Sequence, residues 1–157
     1  MIKNTSYTVK EAKKKLEGYC SYQERCHKEV EQKLTEMNMI DLAKDDIIMH
    51  LMNRNFLNEE RFAKSFARGK FSIKNWGNQR IIRELKLRNI SEFNIKTALL
   101  EFTTNEYLNS FNKLANKKVQ YINEVNIYKK RKKLANYLLY RGCESDLVYA
   151  KVKELIP

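Results

Sequence analysis

Leu85, Asn89, Ile95 and Leu99 recur, at identical offsets, as Leu138, Gly142, Val148 and Val152 further along the chain. Leu34, Asn38, Ile47 and Leu51 make a third copy once three extra residues are allowed in its turn. Within each copy the later apolar pair is four residues apart, which places both side chains on one helix face. Asn89 and Gly142 fall where the preceding helix must stop, and both residue types tolerate the left-handed backbone of a helix C-cap. A period of about fifty residues is that of a helical repeat array, in which each unit packs mainly on its neighbours. The pattern predicts an all-α fold: three tandem three-helix repeats forming an elongated, curved body.

The helices are expected over 8–25, 27–38 and 41–54, then 58–72, 77–88 and 91–101, then 104–122, 127–141 and 144–155. Ser21 and Glu24 offer a competing start near Cys26. The repeats are expected to divide the chain as 1–56 (with a short N-terminal arm), 57–102 and 103–157. Breakers are scarce: four Gly and one Pro, the terminal Pro157, while 43% of the residues are apolar and supply a core. No segment shows the alternation of a half-buried strand.

Start signals agree with the repeat. Thr8 and Glu11 make a capping box. Leu57 and Phe62 bracket the N-cap Asn58 as a hydrophobic staple, with Glu59 and Glu60 at the positive end of the helix dipole. Ile90 and Ile95 bracket Ser91 in the same way, and Cys143 and Val148 bracket Glu144, a poorer cap than Asn or Ser.

Charge sets the function classes. The chain carries 31 Lys and Arg against 19 Asp and Glu, a formal net charge of +12. Such a surface attracts polyanions: nucleic acid first, otherwise an acidic protein or membrane surface. No apolar run approaches the ~20 residues of a membrane span, and Met1 to Lys10 lacks the apolar core of a secretory signal. The three cysteines, Cys20, Cys26 and Cys143, imply no disulfide framework, so the cytoplasm is the expected compartment.

Between Arg61 and Asn89 stand nine basic residues, Arg61, Lys64, Arg68, Lys70, Lys74, Arg80, Arg83, Lys86 and Arg88, against one acid, Glu84. On a helical wheel Phe62, Ala63, Phe66 and Ala67 share one face and Arg61, Lys64 and Arg68 the other. That arrangement buries the aromatics and offers a cationic ridge to solvent. Arg80 and Arg83 flank the apolar Ile81, Ile82 and Leu85. Lys129, Lys130, Arg131, Lys132 and Lys133 form a second cluster. One ridge alone reads as an ordinary solvated face; two, with so little interspersed acid, favour binding. Arg forks onto phosphate or carboxylate, so a DNA backbone and an acidic protein groove both suit.

Tyr19, Tyr22, Tyr121, Tyr128, Tyr137 and Tyr140 are expected mainly in the core. Trp76, beside Gly77 at an inter-helix turn, is the best candidate for base stacking. Catalysis lacks a constellation. Asp45-Asp46 and Glu59-Glu60 are adjacent on helices and diverge by about 100°. Cys26-His27 has no partner pair at zinc spacing, His50 stands far off, and no phosphate loop or nucleophile motif occurs. No catalytic residue, metal or cofactor is expected.

The residues Leu57-Asn58-Glu59-Glu60-Arg61-Phe62-Ala63 resemble the Leu-Asp-Asp-x-Arg-Phe-Ala signature of the RecX family. Gly77, Ile81, Leu85, Asn89 and Ile90 follow as in that family's Gly…Ile…Leu…Gly-Ile run. Leu138 and Arg141-Gly142 are similar to its third repeat, and Glu29-Val30 with Lys33-Leu34 to its first, over about residues 8 to 155. The chain departs in Asn58 for Asp, Asn89 for Gly and Cys143 for Phe; Asn is a sound cap at both of its positions. The resemblance implies three tandem three-helix repeats and a modulator of the RecA recombinase in recombinational DNA repair and the SOS response. It implies a protein that lies in the groove of the RecA–single-stranded DNA filament and blocks filament extension or promotes disassembly, suppressing ATP hydrolysis and strand exchange. Nothing in the sequence suggests an obligate oligomer, so a monomer is expected. The resemblance also implies binding to single- and double-stranded DNA alone. On that reading Arg61, Arg68, Arg80, Arg83 and the 129–133 cluster face the filament, while Leu57, Phe62, Ala63, Ile81 and Leu85 are structural. The rivals are a general DNA-binding repeat protein with no recombinase partner, a helical adaptor for an acidic protein, and a nuclease, whose carboxylates the sequence does not gather.

Overall fold

The structure, a computed structural model, describes residues 6–157, so most of the expected N-terminal arm lies outside it. The described residues form nine helices and no strand: α1 (Val9–Tyr22), α2 (His27–Glu36), α3 (Asp41–Asn53), α4 (Glu59–Ser72), α5 (Asn78–Leu87), α6 (Glu92–Leu99), α7 (Thr104–Gln120), α8 (Ile127–Tyr140) and α9 (Ser145–Leu155). No helix among them is long and apolar enough to cross a membrane. The fold is all-α, and its helices pack in consecutive threes around three cores.

The caps explain where the helices stop and start. Thr8 with Glu11, and Thr103 with Glu106, form complete capping boxes. Asn58, Ser91 and Asn126 each accept a backbone N–H three residues on. At the ends of α2, α5 and α8 the chain makes one repeated turn. Asn38, Asn89 and Gly142 have φ of 60°, 58° and 94°. The next N–H then reaches back to the carbonyl of Leu34, Leu85 or Leu138, at 3.0, 3.1 and 3.1 Å. Those three leucines are the first members of the sequence repeat, so the weaker first copy shares the same cap. Its three extra residues sit elsewhere than expected. Ile40, Ser91 and Glu144 each N-cap the following helix two residues after the turn. The insertion therefore lengthens α3 by nearly one turn, which keeps Ile47 and Leu51 on the buried face.

The first core gathers Leu16, Val30, Leu34, Ile47 and Leu51, the second Phe62, Ile81, Leu85 and Ile95, and the third Phe111, Leu134, Leu138, Val148 and Val152. Leu57 is buried in the first core and Phe62 in the second. They do not form the expected staple, because α4 begins where two units meet and its flanking residues anchor one to each. Cys26 and Tyr107 cross in the same manner, both being buried in the second core. The accessible surface is 10587 Å². A compact globule of 18.8 kDa exposes about 8,300 Å², so the units are strung out and not clustered round one centre.

The second and third units meet backbone to backbone. The N–H groups of Gly77 and Gln79, at the start of α5, donate to the carbonyls of Arg141 and Gly142 at 2.7 and 2.9 Å. Asn78 N donates to the Tyr107 hydroxyl (3.1 Å), which itself donates to Glu144 (2.6 Å). The orphan donors of one helix start thus satisfy the orphan acceptors of another helix end. Glu144, which makes no side-chain cap to α9, is spent on this joint. Burial and the Glu144 bond together push the Tyr107 hydroxyl well above the ordinary phenol pKa.

All three cysteines are buried and unpaired. Burial pushes the Cys20 and Cys143 thiols up to about 11 and about 12, and raises Cys26 as well. At pH 8 the native thiols are expected to react with DTNB at least about a hundredfold more slowly than in the unfolded chain. A rapid one-equivalent burst from native protein would contradict this packing.

Candidate nucleic-acid interface

Helix α4 presents Phe66 and Lys70 one turn apart, and the turn after it delivers Trp76 beside them. Lys70 Nζ lies 5.5 Å from the Phe66 centroid and 4.9 Å from that of Trp76. From α5, Arg80 stands 4.2 Å above Trp76 and 4.8 Å from Tyr140 at the end of α8. Arg88, at the other end of α5, lies 4.8 Å over Phe66 and bonds to Glu84 at 3.0 Å. The result is a continuous stripe, Arg88–Phe66–Lys70–Trp76–Arg80–Tyr140, in which cations and rings alternate across the joint between the second and third units. Each such contact holds a cation in place over a ring. Arg88 Nη1 is committed to Glu84 and Arg80 Nη1 to the Tyr140 carbonyl at 3.4 Å, which leaves their other N–H groups to meet an anion.

Arg83 and Lys86 are exposed on α5, and Lys74 is exposed in the turn that carries Trp76. Lys64 pairs with Glu60 at 2.9 Å, which raises its pKa, and Arg68 with Glu101 at 3.6 Å. Trp76 departs from the expected open platform: half-buried against Phe66, it has cations over its ring. Tyr22, Tyr121, Tyr128 and Tyr140, expected in the core, are instead exposed.

Arg61 departs furthest. Its Nε bonds to Glu24 at 2.6 Å, and its terminal nitrogens bond to Asn55 Oδ1, Asn55 O and Phe56 O at 3.1, 3.0 and 3.3 Å. It ties the first unit to the second and offers no free fork to solvent. The wheel showed its outward direction but not that the preceding unit lies there. Glu59 and Glu60 diverge, the first to Ser91 and Asn94 and the second to Lys64. Among the described residues no group of His, Cys, Asp or Glu gathers as a metal site.

The 129–133 run winds round the first turns of α8. Lys129, Lys132 and Lys133 are exposed and Lys130 half-buried. Arg131 turns back to the Ile156 carbonyl at 2.8 Å. Lys133 bonds to Glu124 at 3.0 Å and holds that carboxyl below its usual pKa. The run ends two turns before Tyr140, so about 10 Å of α8 separates it from the stripe.

A groove of about 720 Å³ was not anticipated. Lys113, Lys117 and Lys118 of α7 and its C-cap Tyr121 line it, opposite Asn75, Tyr137 and Arg141. The four-residue spacing of Lys113, Lys117 and Tyr121 was visible in the sequence. What faces it depends on the joint between units.

Residues 58–99 match the family model for the second three-helix domain of RecX. The Regulatory protein RecX of Bacillus licheniformis is 26% identical over 146 residues, covering 93% of this chain and 56% of that protein. That of Leuconostoc mesenteroides is 24% identical over 129 residues, covering 82% and 48%. The chain thus spans about half the length of the curated relatives it matches. The crystal structure of RecX from Lactobacillus salivarius superposes with a TM-score of 0.80 at 24% identity, covering 94% of this chain and 96% of that one. A second crystal structure of regulatory protein RecX gives 0.83 at 24% identity, over 93% and 73%. These superpositions share the all-α fold, the domain model falls on the unit that carries the signature, and the curated relatives run through all three units. In sequence and in its all-α fold the chain is similar to the regulatory proteins of the RecX family.

Proposed function

We propose that this chain regulates the RecA recombinase, binding the RecA–single-stranded DNA filament and limiting its ATP hydrolysis, its growth and strand exchange. The observation that carries the reading is the cation–aromatic stripe across the second and third units. It sits on the unit with the family signature and suits a groove lined by acidic protein and phosphate. Arg68, Arg80, Arg83, Lys86 and the exposed lysines of 129–133 supply the contacts, and Arg61 holds the scaffold. The chain works as a monomer in the cytoplasm, with no cofactor and no catalytic centre.

DNA-stimulated ATP hydrolysis by the cognate RecA, titrated with this protein at near-physiological salt, tests the proposal. Inhibition well below one copy per recombinase is expected. Reversing Arg68, Arg80 and Arg83 together to Glu should raise the amount needed at least about tenfold. Because Arg80 also packs at a joint, the pair R83E/K86E, both exposed, repeats the test without that burden. Unchanged inhibition by both variants would refute the assignment. Inhibition that excess bare DNA fully relieves would favour a general DNA-binding repeat protein instead.

A further inference from the structure

We infer that the groove along α7 is a binding site for one unpaired strand of nucleic acid, separate from the stripe. Lys113 and Lys117, at successive turns of α7, and Tyr121, at its C-cap four residues on, line the same groove. Their repeat of about 6 Å along the helix is close to the step between phosphates in an extended strand. Lys118 and Arg141 enter from the side, 4.6 and 5.3 Å from the Tyr137 ring that holds them in place. Among the described residues no carboxylate lies within ion-pair distance of Lys113, Lys117, Lys118 or Arg141. The one acid on the groove, Glu106, is held by its capping box at the far end of α7 from Tyr121.

The lining selects the kind of anion. A duplex offers two rails of phosphate and hides its base faces, whereas this groove has one row of lysines ending at an exposed tyrosine, 69% accessible. Cations in single file beside an aromatic platform are how proteins track one strand and stack its bases. Asn75, Asn109 and Ser110 add neutral hydrogen-bonding groups to the lining, which can pair with base edges. The site needs no recombinase, so it stands or falls apart from the regulatory reading.

Fluorescence anisotropy of a labelled fifteen-nucleotide oligo(dT) against the full chain, over a series of KCl concentrations, provides the test. Lys113 and Lys117 are exposed and have no ion-pair partner to lose, so K113A/K117A should keep its thermal transition. It is expected to bind oligo(dT) about tenfold more weakly, with the log–log salt slope reduced by about 1.4 for two lost phosphate contacts. Y121A should weaken binding by a similar factor and leave the slope unchanged, since stacking releases no counterions. R83E/K86E, on the exposed face of α5, should reduce oligo(dT) binding less than K113A/K117A does. The proposal is overturned if K113A/K117A binds with the parent affinity and slope. It is equally overturned if a hairpin duplex of matched charge outcompetes oligo(dT), or if poly-glutamate binding alone responds to these substitutions.

Discussion

Gly142→Ala is expected to destabilise the protein by about 4 kcal/mol, lowering its melting temperature by about 10 °C. Two costs combine. Gly142 has φ of 94°, outside the region that L side chains adopt readily, which costs about 1–2 kcal/mol. A Cβ there would also lie 2.3 Å from Arg80 Cβ and 2.5 Å from Arg80 N. Both are close to the backbone and have no room to swing away. Gly77 faces the same joint: its Cβ would meet the Gly142 carbonyl carbon and oxygen at 2.4 Å. Either substitution must part α5 from the turn after α8, stranding the two inter-unit backbone hydrogen bonds. Each bond left unmade in a buried place costs about 1–3 kcal/mol. The pair G77A/G142A should be less than additive, because one opened joint accommodates both methyl groups. Asn89→Ala, at the corresponding turn of the second unit, should cost only about 1 kcal/mol, since it adds no clash. Circular-dichroism melts decide the matter. A Gly142→Ala protein melting within a degree or two of the parent would mean the joint can relax, and the close glycine contact would not explain why the chain has glycine there.

The joint also shows what can be read from a sequence of this kind. Capping is local: a side chain and a backbone N–H three residues away settle it, so Thr8, Asn58 and Ser91 and the turns at Asn89 and Gly142 were legible in the sequence. The cores followed too, since Leu34, Leu85 and Leu138 are buried wherever the neighbouring helices lie. What escaped was everything decided between units. Arg61 points away from its own core, as the wheel requires, but what it meets is Glu24 of the preceding unit. Leu57 and Phe62 have staple spacing, yet a unit boundary separates the cores they enter. Trp76 precedes a glycine, which suggested an open turn. That glycine instead packs against Gly142, and the Trp76 ring lies beside Phe66, Lys70 and Arg80. The α7 groove escaped for the same reason, because one of its walls comes from a different unit.

Arg61→Ala separates scaffold from contact surface within the set of basic residues that the sequence singled out. Its guanidinium makes four hydrogen bonds spanning two units, and its side chain is 38% exposed. Water can therefore replace some of them, which holds the expected loss to about 2 kcal/mol, or roughly 6 °C in melting temperature. Glu24 adds to the loss. Its Oε2 is already buried without a hydrogen-bond partner, and removing Arg61 leaves the carboxylate with no cation beside it. The double variant E24Q/R61A should consequently recover part of what R61A loses, giving a coupling of about 1 kcal/mol in a double-mutant cycle. R83E/K86E should do the opposite. With no partner to lose, it should melt within about 1 °C of the parent while the RecA ATPase inhibition proposed above falls. Arg61→Ala, assayed at a temperature where it is fully folded, should inhibit as well as the parent. If it retains the parent's melting temperature and loses inhibition, Arg61 belongs to the contact surface, and the tie to Glu24 is a resting arrangement that binding displaces.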